Sequence, residues 1–391
     1  MGMGIRAFAR TLPAIATAMA ATLAVAEDVK IGVIAPFTGP AAGFGKQIEG
    51  GMRAYMKVNG DTFAGRKVQL IVRDTGGPNP EVAKRLAQEL IARDKVDFLA
   101  GFGYTPEALA VAPVATEAKK PMIVMNAATS VITTRSPYIA RFSMTLPQVS
   151  VPMATWAWKN GIRKVYTLVT DFGPGIDSET SFKNAFTALG GQVVDSVRTP
   201  LRNPEYAPYV QRAKDAKPDA IFLFVPAGQD SIAFMKAYDE RGLAQAGIKL
   251  IATGDLTDDY VLNSLGDPVI GIVTTHHYSA AHDSPENKAF VKAFSEVAKD
   301  LGRPNFMGVG GYDGMSAIAE VVKKLGNNID GDKAMEILKN MKLTSPRGPI
   351  SIDPATRDIV QTVYVRRVEK KGGELWNVEF DKFESVKDPG K

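Results

Sequence analysis

Short apolar runs alternate with segments whose apolar residues recur every three or four positions, from Val29 almost to Gly326. The runs are nearly continuous rather than interrupted by polar residues, which is typical of strands covered on both faces. Strands that alternate with helices in this way predict βαβ units around parallel sheets. The predicted strand segments are VKIGVIAPF, KVQLIVRD, VDFLAG, PMIVMNAA, KVYTLVTD, QVVDSV, DAIFLFVP, KLIATG and GIVTTHHY.

Two of the predicted helices carry terminal signals. In NPEVAKRLAQELIARD, Asn79 is expected to cap the helix and Pro80 fits its first turn, where a missing N–H costs nothing. SPENKAFVKAFSEVAKDLG repeats the pattern, with Ser284 as the cap and Gly302 as the stop. The segment that follows residue 347 has a different pattern and predicts antiparallel strands, with Lys371-Gly372-Gly373 as a hairpin loop.

The first 26 residues have the features of a cleaved export signal. Arg6 and Arg10 precede the apolar stretch LPAIATAMAATLAVA, which ends in the small-x-small pattern Ala24-Val25-Ala26. This stretch is shorter than the roughly 20 residues that cross a bilayer, and no later stretch is long enough. We therefore expect a soluble, exported mature protein that begins near Glu27.

Composition narrows the class of protein further. The chain has no cysteine, so a lipid-modified N-terminal Cys and a disulfide framework are both excluded. The formal net charge of +5 falls to +3 once the two arginines of the signal are removed. Scattered Lys and Arg with so small an excess do not predict nucleic-acid binding. The length of the mature chain suffices for two domains of ordinary size.

The motifs of the common enzyme classes are missing from the sequence. G-x-S-x-G, H-E-x-x-H and G-x-x-x-x-G-K-[ST] do not occur. GFGYTP follows a strand and opens a helix as a dinucleotide fingerprint would, but Pro106 stands where the third glycine belongs. The sequence therefore predicts no enzymatic activity and no cofactor.

Two clusters of ionisable residues are candidates for a metal or catalytic site. A strand would direct His276 and His277 to opposite faces, so a shared metal ion is not expected. Asp255, Asp258 and Asp259 follow LIATG without a partner nucleophile, and helix capping with first-turn dipole compensation explains most of this acidic group.

The segments that follow the predicted strands share three features: glycine, hydroxyl or amide side chains, and a single aromatic residue. They are FTGPAAGFG, GFGYTPE, NAATS, TDFGPG, VPAGQD and TGDLTDD. In open parallel sheets ligands bind at the carboxyl ends of the strands, beside helix N-termini. Few polar groups among the aromatic residues Phe44, Tyr104 and Phe172 predict a cleft for a small organic ligand. Thr105, Thr129 and Ser130 are also candidates for simple helix caps.

The chain resembles the periplasmic solute-binding proteins of ATP-binding-cassette importers, of the leucine/isoleucine/valine-binding type, over practically its whole mature length. The segments that carry the resemblance are VKIGVIAPFTGPAAGFGKQIEGGMRAYMKVN, KVQLIVRDTGGPNPEVAKRLAQELI, PMIVMNAAT, KVYTLVTDFGPG and GGYDGMSAIAEVVKKL. The resemblance implies a type I periplasmic binding fold of the α/β class, with two doubly wound parallel-sheet lobes joined by three crossovers. By analogy, residues 27–146 and 277–356 form one lobe, and residues 147–276 and 357–391 form the other.

The resemblance also assigns residues to the cleft. It implies that the ligand carboxylate meets Thr105 after the third strand, and the backbone at Ala127 with the Thr129 hydroxyl after the fourth. The loss of bulk at Ala127 and Ala128 would allow a carboxylate to reach that backbone. The wall residues of the two lobes correspond to Phe44 and Phe172.

Three further positions depart from the amino-acid binders of this family. Asp255 stands where those proteins place a glutamate that holds the ligand ammonium. Tyr104 replaces a small residue, and Tyr278 lies with His276 and His277 near the second crossover. Relatives with such changes bind aromatic acids.

The expected function is therefore binding, without catalysis, of a small hydrophobic carboxylate, with delivery to an inner-membrane permease. A hydroxybenzoate-like aromatic acid is favoured slightly over a branched-chain amino acid. A ligand sensor or receptor ectodomain on the same fold is an alternative, and an exported hydrolase is a third. We expect a monomer, because one binder docks on one transporter.

Overall fold

The computed structural model describes Met1 and residues 27–390. The predicted export signal thus lies outside the described residues, apart from Met1. No helix in the described part of the chain combines the length and the apolar character that crossing a membrane would require.

A first sheet is built from the N-terminal third of the chain. Its strands are β1 (Val29–Ala35), β2 (Thr62–Phe63), β3 (Arg66–Asp74), β4 (Phe98–Gly101), β5 (Met122–Val124) and β6 (Ile139–Arg141). They lie in the order β2-β3-β1-β4-β5-β6, and all neighbouring pairs are parallel except β2 with β3.

A second sheet contains the remaining strands. These are β7 (Lys164–Thr170), β8 (Gln192–Thr199), β9 (Ala220–Phe224), β10 (Lys249–Thr253), β11 (Val273–His276), β12 (Lys342–Ser345), β13 (Gly348–Ile352), β14 (Ile359–Lys371) and β15 (Glu374–Val386). The strands β8, β7, β9, β10 and β11 are parallel, in that order. β14 joins them antiparallel to β11 and pairs on its other side with β13 and β15, so the prediction of antiparallel C-terminal strands is confirmed.

Helices cover both faces of the sheets. They are α1 (Ala42–Asn59), α2 (Pro80–Glu89), α3 (Thr105–Glu117), α4 (Leu146–Lys159), α5 (Gly173–Ala188), α6 (Tyr206–Asp215), α7 (Gln229–Glu240), α8 (Pro285–Val297), α9 (Phe306–Leu325) and α10 (Gly331–Leu338). Val33 of β1 packs in one buried apolar cluster with α1 and α9, and the next residue, Ile34, packs in another with α2 and α3. Burial on both sides explains why the strand segments read as continuous apolar runs.

The chain passes between the two sheets more than once. After β6, helix α4 leads to the second sheet, and after β11 the helices α8 and α9 return to pack against α1 of the first sheet. β12 and β13 hydrogen-bond toward β14 in the second sheet, although Ile350 and Ile352 of β13 pack in the apolar cluster of the first. The lobe boundaries stay a prediction.

The helix signals were partly confirmed. The Ser284 hydroxyl accepts a hydrogen bond from the Asn287 N–H at 3.0 Å, as a cap should. Asn79 does not cap α2, because its side-chain amide donates to the Thr75 carbonyl instead, at 2.7 Å. α8 ends at Val297, before the predicted stop at Gly302. Between β14 and β15, the two-residue turn Gly372-Gly373 has positive φ at both positions, which glycine tolerates without a side-chain clash.

Candidate functional site

A small cavity of about 30 Å³ lies at the carboxyl ends of the parallel strands, between the two sheets. Its walls come from both halves of the molecule and consist of Phe44, Gly103, Tyr104, Thr105, Asn126, Ala127, Ala128, Met144, Leu146, Phe172, Pro174, Phe224, Pro226, Ala227, Asp255 and Met307. Seven of the nine residues predicted for the site lie among them, and only Thr129 and Tyr278 do not.

Thr105 and Thr129 bring two hydroxyl groups together at one end of the cavity. Thr105 is the first residue of α3, directly after β4, and Thr129 ends the loop that follows β5. Their Oγ1 atoms lie 2.9 Å apart, within hydrogen-bonding distance. Thr105 lines the cavity, and Thr129 contacts it from outside the wall. Both side chains are buried, which removes competing water from any ligand they bind.

The loop between β5 and Thr129 presents backbone donors beside these hydroxyls. The Ala127 N–H donates to the Phe102 carbonyl at 2.9 Å and is therefore occupied. The N–H groups of Ala128 and Thr129 form no hydrogen bond with any described residue. The backbone group open to a ligand is thus that of Ala128 rather than that of Ala127.

A fully buried arginine, Arg141, fixes the orientation of this loop. Its guanidinium donates to the carbonyls of Ala127 at 3.1 Å and Thr129 at 2.8 Å, and its Nε donates to Asp358 Oδ1 at 2.7 Å. In a trans peptide the C=O and the following N–H point in opposite directions. Because the Ala127 carbonyl faces Arg141, the Ala128 N–H faces away from it. Sequence analysis missed Arg141, whose one signal was a charged residue at the end of the apolar segment YIARF.

Two pairs of aromatic rings form the sides of the cavity. The rings of Phe44 and Tyr104 stack with centroids 5.1 Å apart, and those of Phe172 and Phe224 stack at 6.0 Å. The first pair belongs to the half with the first sheet and the second pair to the other half. Phe224 was not predicted, since it is simply the last apolar residue of a buried strand.

Glu107 holds Tyr104 in its place. Its Oε2 accepts a hydrogen bond from the Tyr104 N–H at 3.1 Å, at the start of α3. Burial raises the pKa of Glu107 to about 7. Sequence analysis did not single out Glu107, which lies within the expected first turn of the helix.

The first residue of helix α5, Gly173 in the second half of the molecule, lies against Thr129. A Cβ placed on Gly173 would lie 2.6 Å from Thr129 Oγ1, closer than real Cβ contacts allow. One turn further, Asp177 Oδ2 accepts a hydrogen bond from the Ser130 N–H at 2.9 Å. The two halves therefore touch across the cleft, and Gly173 permits that approach.

Asp255 lies in the cavity wall after β10. Thr253 Oγ1 donates to its Oδ2 at 2.9 Å, and the His276 Nε2 lies 3.9 Å from the same oxygen. Burial raises the pKa of Asp255 to about 6. Of the described residues that line the cavity, Asp255 is the only one with a carboxylate, and none is basic.

The expectation that His276 and His277 point to opposite faces was wrong. Their Nδ1 atoms lie 2.9 Å apart and their ring centroids 4.5 Å apart. β11 ends at His276, so the alternation of a strand no longer governs His277. Burial lowers the pKa of both rings well below the ordinary value, which leaves them neutral. Within the described residues no group of His, Asp and Glu side chains is arranged to hold a metal ion.

The expectation that Asp258 and Asp259 cap a helix was also wrong. The next helical turn begins only at Leu262, and the two carboxylates serve as buried acceptors instead. Asp258 accepts from the Asn305 amide at 2.8 Å, and Asp259 accepts from the Asn377 amide at 3.2 Å. Burial, followed by the charge of Asp259, raises the pKa of Asp258 to about 8.

Tyr278 lies away from the cavity. It is fully buried, its hydroxyl donates to Asn287 Oδ1 at 2.9 Å, and its ring packs edge-on against Phe290. Tyr278 is therefore a residue of the hydrophobic core, and its aromatic character reflects packing rather than contact with the cavity.

Comparison with known proteins places this geometry in context. A family model described as periplasmic binding protein matches residues 28–374. The Leu/Ile/Val-binding protein homolog 6 of Brucella melitensis is 45% identical over 376 residues, which cover 95% of this chain and 96% of the relative.

Two solved structures are similar along nearly their whole length. A solute-binding protein of an ABC transporter from Rhodopseudomonas palustris BisB5, in complex with 3,4-dihydroxybenzoic acid, is 56% identical with a TM-score of 0.89. A second from R. palustris, in complex with 4-hydroxybenzoate, is 47% identical with a TM-score of 0.91. Each alignment covers 93% of this chain and 99% of the other.

Proposed function

The chain belongs to the periplasmic binding protein family, and we propose that it is the substrate-binding component of an ABC importer that closes on a hydroxybenzoate-like aromatic acid. The arrangement that carries this proposal is a cavity with uncharged donors at one end and stacked aromatic rings along its sides. Two similar binding proteins hold hydroxylated benzoates, which supports the same ligand class here.

The ligand carboxylate belongs at the end formed by Thr105 and Thr129. Their hydroxyls and the open N–H groups of Ala128 and Thr129 are donors without a formal charge. The N-termini of α3 and α5 meet at this point, and their dipoles favour an anion. Charge-assisted hydrogen bonds contribute about 1.5–3 kcal/mol each.

We place the ring of the ligand between the two aromatic pairs. Phe44 and Tyr104 supply one wall, and the stacked rings of Phe172 and Phe224 supply the other. Burial of apolar surface contributes roughly 25 cal/mol per Å², and stacked rings add about 0.5–1.5 kcal/mol per pair. Because the walls come from both halves, the ligand binds the closed form better than the open one and shifts the population toward closure.

A branched-chain amino acid is the second candidate ligand. The Brucella relative carries the name of a Leu/Ile/Val-binding protein homolog, and the Asp255 carboxylate offers an acceptor for an ammonium group. An aliphatic side chain does not need two stacked aromatic pairs around it, whereas an aromatic ring can stack on them. We therefore favour the aromatic acid as the ligand.

A transport role implies a permease partner, closure of the two lobes and a protein that does not change its ligand. The closed, loaded protein would be recognised in the periplasm by an inner-membrane ABC permease, with the ligand released unchanged. The predicted lobes, residues 27–146 with 277–356 and residues 147–276 with 357–391, would close as two bodies around it. We propose a monomer, without enzymatic activity.

Thermal-shift screening of the mature protein tests the ligand class. A ligand at about 100 times its Kd stabilises the folded state by roughly 2.7 kcal/mol. We expect 4-hydroxybenzoate and 3,4-dihydroxybenzoate to raise Tm, and leucine and valine to leave it unchanged. Stabilisation by leucine or valine alone would establish the amino-acid alternative, and turnover of any bound compound would refute the binding-only role.

A further inference from the structure

The carboxylate end of the cavity does not use Asp255, which carries the one carboxyl group among the described residues of the wall. Thr105, Thr129 and the open backbone N–H groups are all donors, and they suit an anion. Asp255 is of the opposite kind, since an ionised carboxylate only accepts hydrogen bonds. It comes from the second sheet, whereas the donors come from the first. A ligand that fills both places needs a carboxylate on one side and a hydrogen-bond donor on the other.

The Asp255 carboxylate has an oxygen available for such a donor. Its side chain is 9% exposed, and Oδ2 accepts a hydrogen bond from the Thr253 hydroxyl at 2.9 Å. Among the described residues no side chain donates to Oδ1, and the only backbone donor to the carboxylate is the N–H of Asp255 itself. A buried carboxylate gains from each further hydrogen bond, so binding of a matching donor is favourable.

His276 supports Asp255 from behind. It is fully buried, and its Nε2 has no hydrogen-bond partner among the described residues. Its Nδ1 accepts the His277 backbone N–H at 2.9 Å, so the neutral ring carries its proton on Nε2. That N–H lies 3.9 Å from Asp255 Oδ2. A small movement on ligand binding would complete the hydrogen bond.

The backbone at Gly254, next to Asp255, packs closely against His276. Any side chain on Gly254 would collide with the His276 ring and with the Arg366 guanidinium. The loop that carries Asp255 thus lies directly on His276, while the ring packs on its other side against Phe306 at 4.4 Å. The charged groups around Asp255 are Arg366 of β14 and Asp258 of the same loop.

On the premise that the ligand is an aromatic acid, we propose that Asp255 accepts the ring hydroxyl of a hydroxylated aromatic acid and so determines specificity. Thr253 and His276 act as positioning residues for its carboxylate. Unsubstituted benzoate would offer the Asp255 carboxylate no donor, and a site of this kind disfavours the analogue that lacks the hydroxyl.

Calorimetric titration of the mature protein with 4-hydroxybenzoate, 3-hydroxybenzoate and benzoate tests this assignment. The three compounds share the ring and the carboxylate, so their comparison isolates the hydroxyl. We expect wild type to prefer at least one hydroxylated compound over benzoate by about ten- to a hundred-fold. Asp255→Ala should abolish that preference while leaving benzoate affinity within a few-fold. Retained benzoate binding also establishes that the variant folds.

Variants of His276 separate positioning from simple packing. His276→Leu should reduce the preference for the hydroxylated compound, and His276→Gln, which keeps an N–H donor, should restore part of it. As the pKa of Asp255 is raised to about 6, the preference should decline as pH falls below about 6. The decline should begin at higher pH in His276→Leu, because removal of the donor disfavours the ionised carboxylate. Equal pH profiles in both proteins would overturn the role given to His276.

A hydroxyl preference that persists in Asp255→Ala would overturn the assignment of Asp255 and leave the proposed function intact. Failure of all three compounds to bind wild type would instead refute the proposed function, and the assignment with it. Asp283→Asn, an exposed aspartate beside Lys288, serves as the control and should behave as wild type.

Discussion

The side-chain oxygens of Thr105 and Thr129 lie 2.9 Å apart, although the two residues follow different strands of the first sheet. Parallel strands β4 and β5 are neighbours, so the segments that leave their carboxyl ends meet at one edge. The contact pairs two donors at the place where two helix N-termini converge. A ligand carboxylate inserted there would replace a neutral hydrogen bond by charge-assisted ones, which are about twice as strong.

Removal of the Thr129 hydroxyl should weaken ligand binding. Thr129→Val keeps the shape of the side chain but loses a donor, and we expect 4-hydroxybenzoate affinity to fall by about tenfold or more, at roughly 1.4 kcal/mol per tenfold. Titration calorimetry measures the change. Thr62→Val, an exposed threonine on β2, is the matched control and should bind as wild type. Equal affinity in the two variants would make this loop an ordinary strand-to-helix turn.

Gly173→Ala should hinder closure of the cleft. The added Cβ would stand 2.6 Å from Thr129 Oγ1, so α5 could not approach the first half as closely. We expect weaker ligand binding and a smaller ligand-induced decrease of the radius of gyration in small-angle X-ray scattering. Alanine is favoured over glycine in a helix, so the fold should keep its stability. The double variant with Thr129→Ala removes the clash and should recover the compaction at saturating ligand, although its affinity is lower. Full compaction in the single variant would refute the steric argument.

Arg141→Met should destabilise the protein strongly. The variant leaves the buried Asp358 carboxylate without its 2.7 Å partner and frees the Ala127 and Thr129 carbonyls. Loss of one member of a buried ion pair costs about 3–5 kcal/mol of unfolding free energy. Urea denaturation tests this.

Two further variants separate burial from charge. The double variant with Asp358→Leu should regain part of the stability, since it removes the buried carboxylate that has lost its Arg141 partner. Arg53→Met breaks an exposed ion pair with Glu49 and should cost less than about 1 kcal/mol. Similar losses for Arg53 and Arg141 would contradict the structural role of Arg141.

Asp258 should make stability depend on pH. Its pKa is raised from the ordinary 3.8 to about 8 by burial, so the folded state binds a proton that the unfolded state releases. Its stabilising contribution is complete below about pH 4 and is lost as pH rises toward 8, by up to about 1.4 kcal/mol per pH unit. Glu107 and Asp255 act in the same direction up to about pH 7 and pH 6.

Urea denaturation between about pH 5 and pH 9 checks the sign. We expect the unfolding free energy of wild type to fall toward pH 8, and that of Asp258→Asn to fall less steeply. Asp300→Asn alters an exposed carboxylate and should follow wild type. A slope of the same size in wild type and Asp258→Asn would exclude Asp258 as its source.

The local sequence pattern was enough to predict the fold class, because strands that are buried on both faces are continuous apolar runs in the sequence. Val33 and Ile34 are both fully buried although they face opposite sides of β1, as a parallel sheet between helix layers requires. The segments that contain the cavity residues Thr105 and Ala128 could be predicted for a related reason, whereas the family resemblance implied the roles of the two residues. They directly follow strands, and the topology of a parallel sheet brings such positions to one edge.

Residues whose role depends on distant partners could not be predicted. Arg141 acts through Asp358, 217 positions further along the chain, and no local pattern joins the two. The geometry of His276 and His277 depends on where β11 ends, and strand ends are the least certain part of a pattern. The contact between His276 and Asp255 therefore could not be predicted from the sequence.

Titration of the purified mature protein with 4-hydroxybenzoate and with leucine, under identical conditions, is the most direct test of the proposed ligand class. The cavity geometry predicts saturable binding of one 4-hydroxybenzoate per chain and no measurable binding of leucine. Tighter binding of leucine than of 4-hydroxybenzoate would contradict an aromatic-acid carrier.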